Sequence, residues 1–140
     1  MRPGPIAGAR VAGSTLLLFL AAVHANWARG SPWPARDRVS LARAVIGSET
    51  LPGAGPCIAV AGLLATASAL VAGWPKDGSP VQRAGAAGVA VILVARGAAG
   101  LAGLLPQERS AIFKRWNRRA YSPFCLALGA LAAAGALRST

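Results

Sequence analysis

Apolar residues collect in four long blocks, about 8–27, 56–74, 84–105 and 121–137, separated by polar links at 28–55, 75–83 and 106–120. A helix needs about 20 mostly apolar residues to cross the hydrocarbon core of a bilayer, with about 17 to 25 as the working range, and every block meets it. Leu, Ala and Gly dominate around each block without the period-two alternation of a membrane barrel strand, so each block predicts a helix. A soluble bundle would need a polar face on each helix, and the three later blocks have none. The expected fold is all-α: an integral membrane four-helix bundle forming a single transmembrane domain over residues 1–140.

The links carry turn and cap signals. The first holds Pro32, Pro34 and Pro52, with one short helix predicted over 37–46 and Asp37 near its start. The second, "PKDGSP" at 75–80, is short enough to force an antiparallel hairpin. Pro56 and Pro123 stand near helix starts, where a missing N–H costs least. A rival reading concerns the first block, whose basic start, short apolar core and small residues Val23 and Ala25 resemble a secretory signal cleaved before Asn26, which would leave three spans. "PCIAVAGLLATASAL" and "FCLALGALAAAGAL" share a Cys followed by small and aliphatic residues; Ala/Leu-rich segments match this way easily, so duplication is not expected.

Charge changes the picture in one respect. A net charge of +11 would suggest nucleic acid in a soluble domain, but here the basic residues sit mostly between apolar blocks and no nucleic-acid-binding motif is present. The expected partners are the bilayer and anionic lipid headgroups, not nucleic acid. Thirteen of the fifteen basic residues are Arg, which together with the Ala and Gly richness suggests a GC-rich bacterial genome and hence the bacterial inner membrane. With four spans, one face holds Arg2, Arg10, Lys76, Arg83 and Arg138. The other holds Arg29, Arg36, Arg38, Arg43, Arg109, Lys114, Arg115, Arg118 and Arg119. The excess of positive charge places the first and third links in the cytoplasm.

Arg96 breaks the run "VILVARGAAGLAG" near the middle of the third block, where a charge costs about 2.5 to 3.5 kcal/mol to insert. The acids Asp37, Glu49, Asp77 and Glu108 all fall in links or at span ends. Depth alone therefore nominates Thr66 and Ser68 of the second block, Ser14 or Thr15 of the first, freed carbonyls, water or a bound anion as its partners. Gly97, Gly100 and Gly103 would let a neighbouring backbone approach, or a second copy of the chain pack to form a homo-oligomer. His24, Cys57 and Cys125 share one membrane boundary; a metal or haem held there is a weak alternative, because no CxxC spacing exists and a fourth ligand is missing. In "AIFKRWNRRAY" (111–121), Ile112, Phe113 and Trp116 can form an apolar face opposite Lys114, Arg115, Arg118 and Arg119, an interfacial helix able to touch lipid headgroups. Trp27, Trp33 and Trp74 suit the membrane interface. No GxSxG, HExxH, phosphate-cradling loop or intramembrane acid pair is present, so an enzyme is the minority reading and no cofactor is expected.

"HANWARGSPWP" (24–34) and "RRAYSPFC" (118–125) together resemble the bacterial domain-of-unknown-function family 3995, small four-span membrane proteins. His24, Trp27, Gly30, Trp33 and Pro34 match its first motif, and Tyr121, Ser122, Pro123 and Cys125 its second; Ser31 replaces a frequent Gly. The resemblance implies an uncleaved first span and supplies no activity. Both motifs lie at the same end of the bundle by the hairpin count. They are expected to form a cap over His24 and Cys125, with Tyr121 bonded to a link backbone, or else the mouth of a ligand pocket involving His24, Trp27 and Tyr121 that reaches toward Arg96. The expected function is non-enzymatic binding or interaction. The alternatives are a small lipid or anionic-solute carrier built on Arg96, and a metal, haem or catalytic site built on His24 and the thiols.

Overall fold

The computed structural model describes residues 4–106 and 108–137, and these are helical without a strand. Arg2 and Arg138 of the charge count lie outside the described residues. In chain order the elements are α1 (Pro5–Ala28), α2 (Arg38–Val45), α3 (Ala54–Ala72), α4 (Pro80–Leu101), α5 (Ala111–Trp116), a π-helical turn (Asn117–Tyr121), α6 (Ser122–Ala133) and a 3-10 turn (Ala134–Ala136). Three helices, α1, α3 and α4, are long and apolar enough to cross a membrane.

Local chemistry sets these boundaries. Pro5 and Pro80 occupy first-turn positions that need no N–H donor. Asp37 caps α2 by accepting the Ser40 N–H at 2.8 Å, and Ser79 caps α4 by accepting the Gln82 N–H at 3.2 Å. At the end of α3, Gly73 adopts φ +116°, and the Gly73 and Trp74 N–H groups close back on the Ala69 carbonyl.

The fourth apolar block differs from expectation. The helical path begins at Ala111, inside the basic link, and α6 itself has only 12 residues. The Ser122 N–H reaches the Asn117 carbonyl, widening the turn just before Pro123, which has no N–H to offer the preceding turn. A proline inside a helix is thus accommodated by a π turn instead of a break.

α1 packs most extensively along α3, and α4 along α6, with fewer contacts between α3 and α4 although a tight link joins them. Leu17, Val71, Ala86, Ala90, Leu128 and Ala132 form the shared core. Large apolar side chains such as Val11, Leu18 and Val91 face outward while Gly13, Ala86 and Gly97 face inward, the reverse of a water-soluble bundle. Gly97 and Gly100 of α4 are used within the chain. A Cβ on Gly97 would stand 2.8 Å from the Ser122 carbonyl oxygen, and one on Gly100 would stand 2.0 Å from Ser122 Oγ, whereas one on Gly88 or Gly103 would meet open space. At Gly97 and Gly100 the close approach is made by α4 to the π turn and α6.

One end of the bundle is tied by buried polar groups. Arg10 donates to the Val71 and Ala72 carbonyls at 3.3 and 3.1 Å and pairs with Asp77 at 2.7 Å. It places a cation on the carbonyl end of α3, where a helix dipole favours one. Gln82 is fully buried and donates to the Leu70 and Gly135 carbonyls at 2.6 and 2.9 Å. Arg83 donates to the Ala136 carbonyl at 2.9 Å. Arg10 and Arg83, counted from sequence as topology-setting charges, bind helix ends.

Candidate functional site

The opposite end of the bundle holds the candidate site. α2 is docked there by the third link: Ser110 donates through Oγ to the Arg43 carbonyl and through its N–H to the Gly47 carbonyl, at 2.7 and 2.9 Å. Arg109 donates to the Ile46 carbonyl, and its guanidinium lies 5.1 Å from the centre of the Phe113 ring. Gly47 (φ +85°) is required at this contact, since a Cβ would meet Arg109 at 2.7 Å. Tyr121 donates its hydroxyl to the Ala44 carbonyl at 3.0 Å, the expected bond to a link backbone. The Asp37 carboxyl that starts α2 is held below its ordinary value by the Ser40 N–H it accepts.

Beneath this cap lies a cavity of about 460 Å³. His24 and Trp27 of α1, Cys57 of α3, Arg96 of α4 and Tyr121 of the π turn contribute to its wall, and Leu20 and Val60 continue it along α1 and α3. His24 shares its Nδ1 bond with the Leu20 carbonyl at 2.8 Å and packs its ring 4.8 Å from that of Trp27. With the proton on Nδ1, His24 keeps Nε2 as an acceptor. Trp27 donates to the Trp33 carbonyl at 2.7 Å, so the indole ties α1 to the first link. Gly30 takes φ +93° in the intervening turn, a conformation glycine adopts without strain. Residues from both sequence motifs thus meet at one cavity.

Arg96 is placed differently from the depth count. α4 ends at Leu101, so Arg96 sits five residues, about 7.5 Å of rise, from the helix end and not at mid-span. Its Nη2 donates to Asn117 Oδ1 at 2.9 Å. None of the nominated hydroxyls serves it. Ser68 donates to the Ser14 carbonyl at 2.8 Å, Thr66 to the Gly62 carbonyl at 2.9 Å and Ser14 to the Val11 carbonyl at 3.1 Å, and Thr15 is exposed. Asn117, buried, also accepts from Ser122 Oγ at 3.2 Å and donates to the Gly100 carbonyl at 3.2 Å. Arg96 Nη1 is buried without a hydrogen-bond partner, packed near Gly100.

Lys114, Arg115, Arg118 and Arg119 are exposed and border a second hollow of about 430 Å³ beside Gly100 and Gly103, on the same segment that carries Asn117. The apolar face expected of this segment is divided, with Phe113 buried while Ile112 and Trp116 remain exposed. His24, Cys57 and Cys125 are not gathered into a ligand set: among the described residues no three His, Cys, Asp or Glu side chains come close enough to share a metal ion. Both thiols are free, and only Cys57 of the two lines the cavity.

A family model described as "Protein of unknown function (DUF3995)" matches residues 17–132, a range that takes in both motifs, the cavity wall and Arg96. The chain belongs to the DUF3995 family. No curated protein and no solved structure matches it significantly. The DUF3995 match starts within α1, and the segment it covers includes every contact of Arg96 and Asn117 described above.

Proposed function

We propose that this chain is a four-pass protein of the bacterial inner membrane that binds an anionic group against Arg96, without catalysing a reaction on it. The helical run 111–136, taken through the π turn, supplies the fourth crossing that α6 alone is too short to make. The positive charge of the first and third links orients the cavity end toward the cytoplasm. Lys114, Arg115, Arg118 and Arg119 then stand at the headgroup level of a leaflet rich in anionic lipid, each worth about 1 kcal/mol of attraction near such a surface.

The observation that carries the binding reading is the buried Nη1 of Arg96, which has no acceptor, beside a largely apolar cavity with few polar groups. A buried charged donor is costly to leave unmatched, and an oxyanion in the cavity supplies the missing acceptor once the guanidinium turns Nη1 from Gly100 toward the cavity that Arg96 lines. Among the described residues no acid lines the cavity to compete for it. The test is native mass spectrometry of the protein released from its own membrane. An anionic adduct retained by wild type and lost in Arg96→Leu is expected; identical bare spectra for both would overturn the reading.

A further inference from the structure

The cavity does not end at Arg96. A second, almost wholly apolar hollow of about 340 Å³ lies directly below it, bounded by Leu63 and Leu64 of α3 and by Ile92 and Leu93 of α4. Leu17 of α1 contributes to its wall, and Val60 belongs to both hollows. The two hollows adjoin at Val60 and together follow the α3/α4 seam as an open groove at whose edge Leu63 and Ile92 stay exposed; this helix pair packs less closely than α1 with α3 or α4 with α6. From Cys57 to Leu70 along α3 the groove extends about 20 Å at the rise of an α-helix.

From this arrangement we infer that the ligand is a single-chain anionic amphiphile, a long-chain carboxylate or monoalkyl phosphate. Its head lies at Arg96 under the Tyr121 and His24 cap, and its tail lies along the α3/α4 groove. The inference rests on the anion site proposed above. The hollows follow one helix pair, α3 and α4, and a single chain is the occupant assigned to them. Among the described residues the Arg96 guanidinium is the one Lys, Arg, Asp or Glu charge on the cavity wall, so an anionic head complements it. In a bilayer the tail gains little from leaving other hydrocarbon, because lipid is as apolar as the groove. Selection therefore depends on the head, and an uncharged amphiphile of equal length should not compete.

The experiment uses the full chain in phosphatidylcholine nanodiscs with palmitic acid carrying a mid-chain diazirine, and maps photo-adducts by mass spectrometry. Adducts should concentrate on the half-buried wall residues Leu64, Ala67 and Leu93 and fall at least tenfold in Arg96→Gln. Unlabelled palmitate or hexadecyl phosphate should remove them, and hexadecanol should not; whichever anion competes better identifies the head. Ala67→Phe, which fills the groove wall, should abolish adducts while hexanoate still slows alkylation of Cys57 in a Cys125→Ala background. Circular dichroism confirms that each variant is folded. Adducts spread evenly over outward residues such as Val11, Leu18 and Val91, or groove adducts that persist in Arg96→Gln, would overturn the inference. If hexanoate protects Cys57 as well as palmitate does and no groove adduct forms, the tail assignment falls and the anion site stands. If neither acid protects Cys57, both fall.

Discussion

Replacing Asn117 with alanine tests the arrangement around Arg96 most severely. Asn117 is 4% exposed and makes three hydrogen bonds: it accepts from Arg96 Nη2 and Ser122 Oγ, and donates to the Gly100 carbonyl. Interhelical hydrogen bonds in membranes average about 0.6 kcal/mol, so the two that cross to α4, from Arg96 and to the Gly100 carbonyl, give a lower figure of about 1 kcal/mol. If the freed groups stay dry, the penalty for an unmatched charged donor and two neutral groups raises the loss to about 5 kcal/mol. Asn117→Ala should therefore lose about 1 to 5 kcal/mol in denaturant titration of the protein in mixed micelles. Asn117→Asp separates structure from binding. Its carboxylate can accept both bonds and pair with Arg96 but cannot donate to the Gly100 carbonyl, so stability should recover in part, while the anion ligand, now displaced by an internal acid, should be lost. An Asn117→Ala variant within about 0.5 kcal/mol of wild type would refute the claim that these bonds hold α4 to the π turn. An Asn117→Asp variant that keeps its anionic ligand would refute Arg96 as the anion's partner.

Gly100→Ala should destabilise by at least the 1 to 3 kcal/mol typical of overpacking, because its methyl would stand 2.0 Å from Ser122 Oγ and 2.8 Å from Arg96 Nη1; thermal unfolding reads this, with Gly88→Ala, which meets open space, as the near-neutral control. Gln82→Ala, which strips the Leu70 and Gly135 carbonyls of their shared donor, should cost about 2 to 4 kcal/mol in the same assay and leave ligand binding at the far end unchanged. The Asp37 cap predicts a pH effect of definite sign. Its carboxyl titrates below the ordinary value of 3.8 when folded, so its support of α2 is complete above that value and fades as pH falls through the lower folded value. Amide exchange in 38–45, corrected for intrinsic rates, should lose protection in acid in wild type and show no such transition in Asp37→Ala.

Much of the scaffold was legible in the sequence because block length and the absence of a polar face are strong signals. α1, α3 and α4 fall on three of the expected blocks, and α2 begins at the Asp37 cap read from its link. The match over residues 17–132 agrees with the family named from the His24–Pro34 and Tyr121–Cys125 motifs. What failed was depth. The antiparallel α3/α4 pair sets Gly85 against Leu70 and brings Arg96 to the level of Cys57 and Val60, so Thr66 and Ser68, farther along α3, bond elsewhere. Asn117 was passed over because it stands among Lys114, Arg115, Arg118 and Arg119, where hydropathy registers only a solvated link. Pro123 was the available signal: a proline within a continuing helix requires the preceding turn to adjust, and that adjustment carries the Asn117 segment into the helix. Gln82 and Arg10 were missed for a related reason, since polar residues near span ends look exposed until the carbonyls of neighbouring helix ends are found to need donors.

The most direct test of the account is a density map of the protein purified in its native lipid, inspected at Arg96. Density for an oxyanion is expected within about 3 Å of Nη1, continuous with a single extended chain between α3 and α4. An empty cavity, with Nη1 bonded only to water or a backbone carbonyl, would contradict it and leave Arg96 as a strut between α4 and the π turn.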